Sequence, residues 1–436
     1  MDYTPEQAVA EAMRCLNCRE HPCMNGCPAK MRIPEFIALV ARVDFDGAWE
    51  IVRSRSLMPA ICGRVCPQER QCEGNCTRAK RGETVGIGAL ERFVADWHFD
   101  RYGGPREREK AETGRSVAVV GAGPAGLACA EALAAKGRSV TVYDYMARPG
   151  GVLTYGIPEF RMPRVIVSDM VENLRKAGVR FVTKTAVGLD VTIDELFASG
   201  FDAVFLGIGA VTPNRLDIPG IRSRGVITAY DYLAYINAVV EGLARGDARV
   251  AGAKRVIVIG AGNVSMDAAR SAVRMGAESV TIVHRRGMAD STACAEELKQ
   301  AVQEGVIYSE YTAPAAVLTG EDGRVTGLEC LKTAAGEPDE SGRRAPITLE
   351  GTNFTLPADL IILAVGAKPE GRVFGEDKEK MMTPRGVIAA DETFATPRAG
   401  VFAAGDAVTG AATVVKAMSG GRTAAESIDR YLESLG

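Results

Sequence analysis

The stretch SVAVVGAGPAGLACAEALAAKGRSVTVYDY, residues 116–145, decides the fold of this chain. It combines a β-branched strand, a glycine-rich turn, an Ala-rich helix and a second strand that ends at Asp144. In such a turn the first glycine bends the chain tightly, the second admits a pyrophosphate, and the third lets helix and strand pack closely. The start of the helix then directs free N–H groups and its positive dipole end at the phosphates. An ordinary structural turn is the alternative, but strand, loop, helix and acid all occur here in order.

The residues around this turn form a candidate dinucleotide site. A carboxylate at Asp144 would accept a hydrogen bond from a ribose 2′-hydroxyl. A second pair of glycines follows soon afterwards and allows another close approach of backbone to the nucleotide. The predicted residues of this site are Gly121, Gly123, Pro124, Ala125, Gly126, Asp144, Gly150 and Gly151.

The same pattern occurs a second time, in RVIVIGAGNVSMDAARSAVRMGAESVTIVHR, residues 255–285. A further echo pairs AVFLGIGAVTPN (203–214) with LIILAVGAKPE (360–370), both apolar strands that end in glycine-containing turns. Two such units indicate two nucleotides held by one chain. The predicted residues of the second site begin with Gly260, Gly262, Asn263, Val264 and Ser265 and include Gly366.

The two units differ where the second strand ends. The first ends at Asp144, and the second ends at His284-Arg285-Arg286. Arginine pairs a 2′-phosphate in a bidentate manner, whereas an acid would repel it, so this difference favours NADPH over NADH. The alternative is that the two arginines are a solvated strand end, and NADH use stays open even if they face the nucleotide.

The C-terminal stretch VFAAGDAVTGAATVVKAMSGGRTAAESI, residues 401–428, would complete the FAD site. Asp406, after Gly405, is placed to accept from a ribityl hydroxyl of the flavin. Thr413 and Val414 would present helix-start N–H groups to the flavin edge that becomes negative on reduction. Taken alone, the stretch is equally compatible with a buried strand and helix.

Eight of the eleven cysteines lie between Cys15 and Cys76. The run Cys15-x2-Cys18-x4-Cys23-x3-Cys27-Pro28 resembles the bacterial ferredoxin pattern, in which the last cysteine ligates the other cluster. A second group follows, at Cys62, Cys66, Cys72 and Cys76. Thiolate is the soft ligand that iron–sulfur clusters need, and eight positions suit two 4Fe–4S clusters. Zinc remains the alternative, because spacing alone does not exclude it.

Composition narrows the class of protein. The chain has 436 residues, 47% of them apolar and 25% charged, with a net charge of −3, as in ordinary globular proteins. This charge gives no reason to expect nucleic acid as a partner, no stretch is apolar enough to span a membrane, and no secretory signal is visible. The sequence therefore predicts a cytoplasmic protein, with a polar linker at residues 102–113.

These motifs together resemble the small (beta) subunit family of glutamate synthase. They are equally similar to the larger subunit of NADH-dependent ferredoxin:NADP oxidoreductase and to the N-terminal half of dihydropyrimidine dehydrogenase. The resemblance is carried by RCLNC, HPCMNGCP, ICGRVCPQERQCEGNC, IGALERF, GAGPAGL, PGGVLTYGIPEFRMP, GAGNVSMD and AAGDAVTGAATVV. Family members often have a Met-Pro-Ala segment and an aromatic residue before the paired arginines, where this chain has HRRGMADSTACAEEL.

The resemblance implies an FAD, which the first glycine turn would hold, a pyridine-nucleotide site at the second turn, and two 4Fe–4S clusters with interleaved ligands. One 4Fe–4S cluster would use Cys15, Cys18, Cys23 and Cys76, and the other would use Cys27, Cys66, Cys72 and Glu91. Cys62 would then be a ligand to neither cluster. Glu91 as a plain helix residue stays the alternative.

The resulting fold class is α/β, with a helical iron–sulfur domain followed by two Rossmann-like dinucleotide-binding domains. The FAD domain would be interrupted by the NAD(P)H domain. The predicted bounds are residues 1–110 for the helical domain, 111–230 and 357–436 for the FAD domain, and 231–356 for the NAD(P)H domain.

The predicted function is an electron-input subunit that takes hydride from NADPH at FAD and passes electrons through two 4Fe–4S clusters to a partner subunit. Hydride transfer between stacked cofactors needs orientation more than a side-chain acid or base, which fits a chain with three histidines. The expected partner is a glutamate synthase large subunit. The alternatives are a bifurcating transhydrogenase, a dihydropyrimidine dehydrogenase, a hydrogenase- or sulfide-linked complex, and a scaffold without electron flow.

Overall fold

A computed structural model describes residues 3–103, 114–247, 249–338 and 344–435. Most of the predicted linker, residues 104–113, lies outside these described residues. The chain divides into two compact units. The first comprises Met1–Thr154, Glu159–Thr212 and Lys368–Gly436, and the second comprises Tyr155–Pro158 and Pro213–Ala367.

The first unit begins with a helical region that carries the clustered cysteines. Four of its helices have a proline in their first turn, where the missing N–H costs nothing. The region has its own apolar core, with Phe36, Val40, Val52 and Leu90 fully buried. Its helices are α1 (Pro5–Ala12), α2 (Pro22–Gly26), α3 (Ile33–Ala41), α4 (Phe45–Arg55), α5 (Pro59–Val65) and α6 (Ile87–Tyr102).

The same unit contains a parallel five-stranded sheet, as the sequence predicts. Its strands are β1 (Ser116–Val120), β2 (Ser139–Tyr143), β3 (Arg180–Val182), β4 (Ala203–Leu206) and β16 (Val401–Ala403), in the order β16-β4-β1-β2-β3. All four strand pairs are parallel, so the carboxyl ends of all five strands meet at one edge. The helices in the same part of the chain as this sheet are α7 (Pro124–Ala135), α8 (Val152–Tyr155), α9 (Arg164–Lys176), α10 (Ile193–Ala198), α14 (Lys378–Met381), α15 (Asp406–Thr409) and α16 (Val414–Ser434).

The second unit repeats this design. Its parallel sheet has the order β6-β14-β7-β8-β9, from β6 (Val226–Thr228), β7 (Arg255–Ile259), β8 (Ser279–Val283), β9 (Ile307–Ser309) and β14 (Leu360–Leu363). Its helices are α11 (Ala229–Val240), α12 (Asn263–Arg274) and α13 (Ala295–Gln303). The main segment of this unit begins at Pro213. It includes β6, which precedes residue 231, the expected start of the NAD(P)H domain, and which pairs with β14 in this sheet.

An antiparallel sheet in the second unit was not foreseen from the sequence. It consists of β10 (Thr312–Thr319), β11 (Val325–Pro338), β12 (Arg344–Thr348) and β13 (Phe354–Pro357). Its buried residues Val317, Leu328 and Cys330 pack with Ile257 and Ile361 of the parallel sheet. Two further short strands, β5 (Thr212–Pro213) and β15 (Ala367–Lys368), pair with each other.

No helix within the described residues combines the length and the apolar character needed to cross a membrane.

Two helices of the first unit, α7 and α16, touch backbone to backbone. A Cβ on Gly421 in α16 would lie 2.0 Å from the carbonyl oxygen of Ala125 in α7. A Cβ on Gly405, just after β16, would lie 2.8 Å from the Cβ of Ala125. These two glycines therefore fix how closely the helix that begins after the first glycine turn approaches α16.

Replacing Gly421 by alanine should lower the thermal unfolding midpoint by several degrees. Alanine is the better helix former by about 1 kcal/mol, but an inserted methyl group in a close-packed interface costs about 1–3 kcal/mol, and this one meets a backbone oxygen. Gly420→Ala is the matched control, since its Cβ would lie 3.4 Å from the nearest heavy atom. Calorimetry of both variants checks this, and equal midpoints would contradict the close approach.

Candidate functional site

The first glycine turn joins β1 to α7 at the carboxyl edge of the first sheet. Gly121 has φ +98°, and a Cβ there would lie 2.5 Å from the carbonyl oxygen of Gly207, after β4. A Cβ on Gly126 would lie 1.8 Å from the carbonyl oxygen of Gly121. Both glycines are therefore required by the packing of the chain itself.

Gly123 has a different role in this turn. Its φ of −83° suits any residue, and among the described residues no heavy atom lies within 4 Å of its Cβ position. The absent side chain leaves open space in front of the α7 N-terminus, where Pro124 occupies the first helical position. This is the geometry of an anion cradle at a helix start.

Asp144 braces this turn directly. One carboxylate oxygen accepts from the backbone N–H of Ala122 at 2.6 Å, and the other accepts from the N–H of Met146 at 2.8 Å. Burial raises the pKa of Asp144, and the two N–H donors act against that rise. Each oxygen keeps a further lone pair, so the bracing leaves acceptor capacity for a ribose hydroxyl. The sequence placed Asp144 near the turn and missed this bracing.

Gly150 and Gly151 lie against the same turn. The N–H of Gly150 donates to the carbonyl oxygen of Ala122 at 2.8 Å. A Cβ on Gly151 would lie 2.8 Å from the Cα of Gly123. Both glycines have positive φ, +124° and +54°, which explains why glycine occurs at both positions.

Asp406 lies at the same sheet edge, in the turn after β16. It accepts from the N–H of Ala412 at 3.2 Å, and burial raises its pKa to about 6. Thr413 caps α16 by accepting from the N–H of Lys416 at 3.4 Å. Val414 is therefore the first residue of a 21-residue helix, where backbone N–H groups lack partners within the helix.

The second glycine turn joins β7 to α12 in the second unit. Gly260 has φ +127°, and a Cβ there would lie 2.4 Å from the carbonyl oxygen of Ala364, after β14. The Cβ position of Gly262 is open, with its nearest neighbour the hydroxyl of Thr292 at 3.4 Å. Ser265, in place of the third glycine, is fully buried and accepts from the N–H of Gly262 at 3.3 Å. Asn263 and Val264 open the helix.

The segment that follows β8 folds back onto this turn. The hydroxyl of Ser291 and the N–H of Thr292 both donate to the carbonyl oxygen of Ala261, at 2.8 and 3.2 Å. The side chain of Asn263 accepts from the N–H of Cys294 at 2.7 Å. Ala261 corresponds to Ala122, whose carbonyl accepts from Gly150. Each unit therefore covers its glycine turn with the segment after its second strand.

The three residues after β8 face different surroundings. His284 shares a hydrogen bond of 2.9 Å between its Nδ1 and the hydroxyl of Tyr308, and burial together with Arg286 and Arg285 lowers its pKa. Arg286 donates from Nε to the carbonyl oxygen of Arg344 at 2.8 Å. Arg285 is exposed. Of these three, Arg285 has the most exposed side chain, and His284 is directed into its own unit.

Gly366 lies in the turn after β14, next to the strand that touches Gly260. Its φ is +86°, and its carbonyl oxygen accepts from the N–H of Asn214 at 2.9 Å. A Cβ there would lie 3.0 Å from the amide nitrogen of the Asn214 side chain. The structure thus accounts for this glycine by local packing.

Four cysteines line one small cavity of the helical region, which we call the outer thiol cavity: Cys15, Cys18, Cys23 and Cys76. The cavity wall also includes apolar side chains, among them Leu16, Ile33 and Ile37. Burial raises the pKa of the Cys23 thiol to about 11, and the nearby Cys15 and Cys76 thiols add to the rise. The Cys18 thiol lies 3.2 Å from the hydroxyl of Thr77.

A second group, which we call the inner ligand group after its expected role, comprises Cys27, Cys66, Cys72 and Glu91, whose side chains lie near one another. Burial raises the pKa of Cys72, and the charges of Glu91 and Cys27 add to it. Burial alone raises the pKa of Glu91 to about 8. A close approach of α5 to α6 brings the group together, because a Cβ on Gly63 would lie 2.7 Å from the backbone nitrogen of Arg92.

Cys62, the remaining cysteine of the region, is a buried thiol that contacts Ser56. It is 2% exposed and lies 3.9 Å from the hydroxyl of Ser56. A hydrogen bond with the Cys62 thiol, together with burial, raises the pKa of Cys66. Its surroundings are those of a small buried thiol packed behind the inner ligand group.

The donor chemistry of both groups fits iron–sulfur clusters. Within the described ranges, no three His, Cys, Asp or Glu side chains are grouped closely enough to hold a single metal ion. A cubane cluster is larger and holds its four ligands farther apart than one ion does. Buried thiols and a buried carboxylate are groups whose anionic forms the iron of such a cluster would stabilise.

Helix α16 contacts the cysteine-rich region directly, a feature that sequence patterns did not indicate. Ser419 donates to the carbonyl oxygen of Pro28, next to Cys27, at 3.1 Å. Arg422 donates to the carbonyl oxygen of Ser54 at 2.8 Å. The helix that starts at the edge of the first sheet is therefore bonded to the loop that carries one inner ligand.

Two known protein families match successive parts of the chain. Residues 1–102 match the domain described as dihydropyrimidine dehydrogenase domain II, 4Fe-4S cluster. Residues 115–421 match the pyridine nucleotide-disulphide oxidoreductase domain. The chain is an NAD(P)H-dependent flavin and iron–sulfur oxidoreductase.

Within that class, the chain belongs to the family of the glutamate synthase small chains. It is 35% identical to the Escherichia coli glutamate synthase [NADPH] small chain, over 99% of this chain and 93% of that one. It is also 38% identical to the putative oxidoreductase AegA of E. coli and to the NADP(+)-dependent formate dehydrogenase subunit beta of Moorella thermoacetica. The chain spans 67% and 60% of the length of these two relatives.

Among solved structures, Mycobacterium tuberculosis FprA in complex with NADPH has a TM-score of 0.61 at 19% identity. The similarity covers 73% of this chain and 85% of that one. At this level of identity the similarity supports the α/β fold alone.

Asp144→Asn should weaken the first glycine turn. An amide has one acceptor oxygen, so one of the two backbone N–H groups loses its partner at a buried position, which costs about 1–3 kcal/mol. Asp190→Asn is the control, since Asp190 makes the same kind of bond to the Ala186 N–H at an exposed site. Calorimetry should show a lower midpoint for Asp144→Asn only. An unchanged midpoint would show that the carboxylate does not brace the turn.

Proposed function

We propose that the chain is the electron-input subunit of a larger oxidoreductase, taking electrons from NADPH and delivering them to a partner subunit. When bound, FAD accepts electrons in pairs and 4Fe–4S clusters carry them singly. The observation that carries the proposal is the path of α16. This helix starts at the edge of the first sheet, and its Ser419 donates a hydrogen bond to the carbonyl oxygen of Pro28, the residue after Cys27. One compact unit thus contains the first glycine turn and both cysteine groups.

The first turn and its surroundings would hold FAD. Gly123 leaves open space at a helix start, and Asp144 offers spare acceptor capacity beside it. Start-of-helix N–H groups at α16 would stabilise negative charge on a bound flavin. The assigned residues are Gly121, Gly123, Pro124, Ala125, Gly126, Asp144, Gly150, Gly151, Gly405, Asp406, Thr413 and Val414.

The second turn would hold NADPH. Gly262 repeats the open position of Gly123, and the exposed guanidinium of Arg285 is available to a 2′-phosphate. The assigned residues are Gly260, Gly262, Asn263, Val264, Ser265, His284, Arg285, Arg286 and Gly366. His284 and Gly366 would support the site through packing, since their bonds are made within the unit.

The two cysteine groups would each hold one 4Fe–4S cluster. The outer thiol cavity would use Cys15, Cys18, Cys23 and Cys76, and the inner ligand group would use Cys27, Cys66, Cys72 and Glu91. The inner cluster would lie beside α16 and receive electrons first. Cys62 is left out of both sets on the family resemblance, and we assign it the role of a small buried thiol beside Cys66.

The partner proposed is a glutamate synthase large chain, and the compartment is the cytoplasm. The proposal of this partner rests on the chain's 35% identity to the E. coli glutamate synthase [NADPH] small chain over 99% of its residues. The test mixes the purified chain with a glutamate synthase large chain and measures NADPH-dependent glutamate formation. Formation only with both chains present supports this partner. NADPH oxidation coupled instead to another acceptor, with no glutamate formed, would move the assignment to a sister complex.

The two glycine turns can be tested independently. Gly123→Ala should fold normally but lose at least about nine-tenths of its FAD, because the methyl group occupies space needed by the pyrophosphate. Gly262→Ala should keep its FAD and raise the KM for NADPH by tenfold or so, since a similar methyl group enters the other turn. Flavin content from the absorption spectrum and steady-state diaphorase rates check both. Loss of FAD in Gly262→Ala, or its retention in Gly123→Ala, would reverse the assignment.

Arg285→Ala should lower kcat/KM for NADPH by about 10- to 100-fold, the effect of losing a charge-assisted hydrogen bond of about 1.5–3 kcal/mol. The same variant should change kcat/KM for NADH less than about twofold, because NADH lacks the 2′-phosphate. Arg324→Ala removes a charge from the same unit and is the control. Equal losses with both nucleotides would show that Arg285 does not read the phosphate, and faster NADH oxidation by the unaltered chain would overturn NADPH preference.

A further inference from the structure

Arg78 lines the outer thiol cavity together with its four cysteines. Its side chain is half-buried, and its Nε is buried without a hydrogen-bond partner among the described residues. One guanidinium nitrogen donates to the carbonyl oxygen of Arg14 at 3.3 Å. Arg78 directly follows Thr77, whose hydroxyl lies 3.2 Å from the Cys18 thiol.

The charge of Arg78 is not matched by a carboxylate. Within the described part of the chain, no ion pair involves Arg78, whereas the neighbouring Arg14 is bonded to Glu11 at 2.7 Å. Arg14 is therefore locally neutralised and Arg78 is not. A cluster in this cavity would have one uncompensated positive charge at its wall.

The inner ligand group has the opposite surroundings. Glu91 belongs to the group itself, and the charge of Glu73 acts on Cys72. Glu73 accepts from the N–H of Gly88 at 3.0 Å, which holds it beside α6. The two groups therefore differ in local charge, with a guanidinium beside one and two carboxylates beside the other.

We propose that Arg78 raises the reduction potential of the cluster held by Cys15, Cys18, Cys23 and Cys76, and so makes that cluster the electron exit of the chain. Reduction adds one electron and breaks no bond, so the reduced cluster is more negative. A fixed positive charge in a half-buried wall stabilises that state, and screening by water is weaker there than at the surface. Carboxylates beside the other cluster act in the opposite direction.

This inference rests on the proposed function, and in particular on the two ligand sets. Given those sets, electrons that enter beside α16 would move from the cluster of lower potential to the cluster of higher potential. Arg78 would then touch no substrate and would act only by changing the reduction potential of the cluster. Its removal should leave FAD binding and NADPH binding unchanged.

The test is an EPR-monitored redox titration of the whole chain with FAD and clusters bound. Arg78→Gln should lower the midpoint potential of the outer cluster, changing its reduced-to-oxidised ratio at fixed potential about tenfold, or about 59 mV for one electron. Arg78→Lys keeps the charge and should restore most of the potential. Lys80→Gln removes an exposed charge from the same turn and should change the ratio less than about twofold.

The outcomes separate the inference from the function beneath it. Unchanged outer-cluster potential in Arg78→Gln, or an equal shift of both clusters, would overturn the role of Arg78 while leaving the cluster assignment intact. Absence of the outer cluster signal in the unaltered chain would instead reject the ligand sets. If Arg78→Gln assembles no outer cluster, the titration of the unaltered chain still tests the proposal. An outer cluster with a lower potential than the inner cluster would contradict it.

Discussion

The architecture of the first unit depends on the backbone contact between α7 and α16. With no side chain at Gly421, the two helices approach until a Cβ would lie 2.0 Å from the carbonyl oxygen of Ala125. That approach sets the start of α7, where the first glycine turn lies, relative to the start of α16, which Thr413 caps. It also sets the middle of α16, from which Ser419 reaches Pro28. Close packing of this kind transmits position because the interior leaves little room for adjustment.

The second unit has the same contact at its glycine turn, made by different residues. In each unit the carbonyl oxygen of the middle alanine, Ala122 or Ala261, accepts from the segment after the second strand. The first unit uses glycine for this contact, and the second uses Ser291 and Thr292. The covering segments differ in charge as well as in shape, because the second begins with the two arginines. The same supersecondary unit, repeated within the chain, therefore has an acid after the second strand of one copy and two arginines after that of the other.

Much of this could be predicted from the sequence, since its strongest signals are local. The α/β class, both glycine turns and the position of Asp144 follow from spacing within about 30 residues, the length of one βαβ unit. The antiparallel sheet was missed because β10 to β13 interrupt the βαβ alternation, although Asp322-Gly323 between β10 and β11 is a hairpin turn signal that could have revealed it. The bonds from α16 to Pro28 and Ser54 join residues far apart in the chain, which no periodicity reveals. Cysteine spacing indicated iron–sulfur ligands, but only the family resemblance divided the cysteines into two expected ligand sets.

The central claim is that electrons pass from NADPH through a flavin to iron–sulfur clusters within this one chain. The most direct measurement is rapid mixing of the purified, cluster-loaded chain with NADPH without oxygen or partner, followed by absorption and freeze-quench EPR. The account predicts that the flavin absorption bleaches first and that reduced-cluster EPR signals appear afterwards. Reduction of clusters in flavin-free protein, or a bleached flavin with clusters that stay oxidised under a low-potential NADPH-regenerating system, would contradict it.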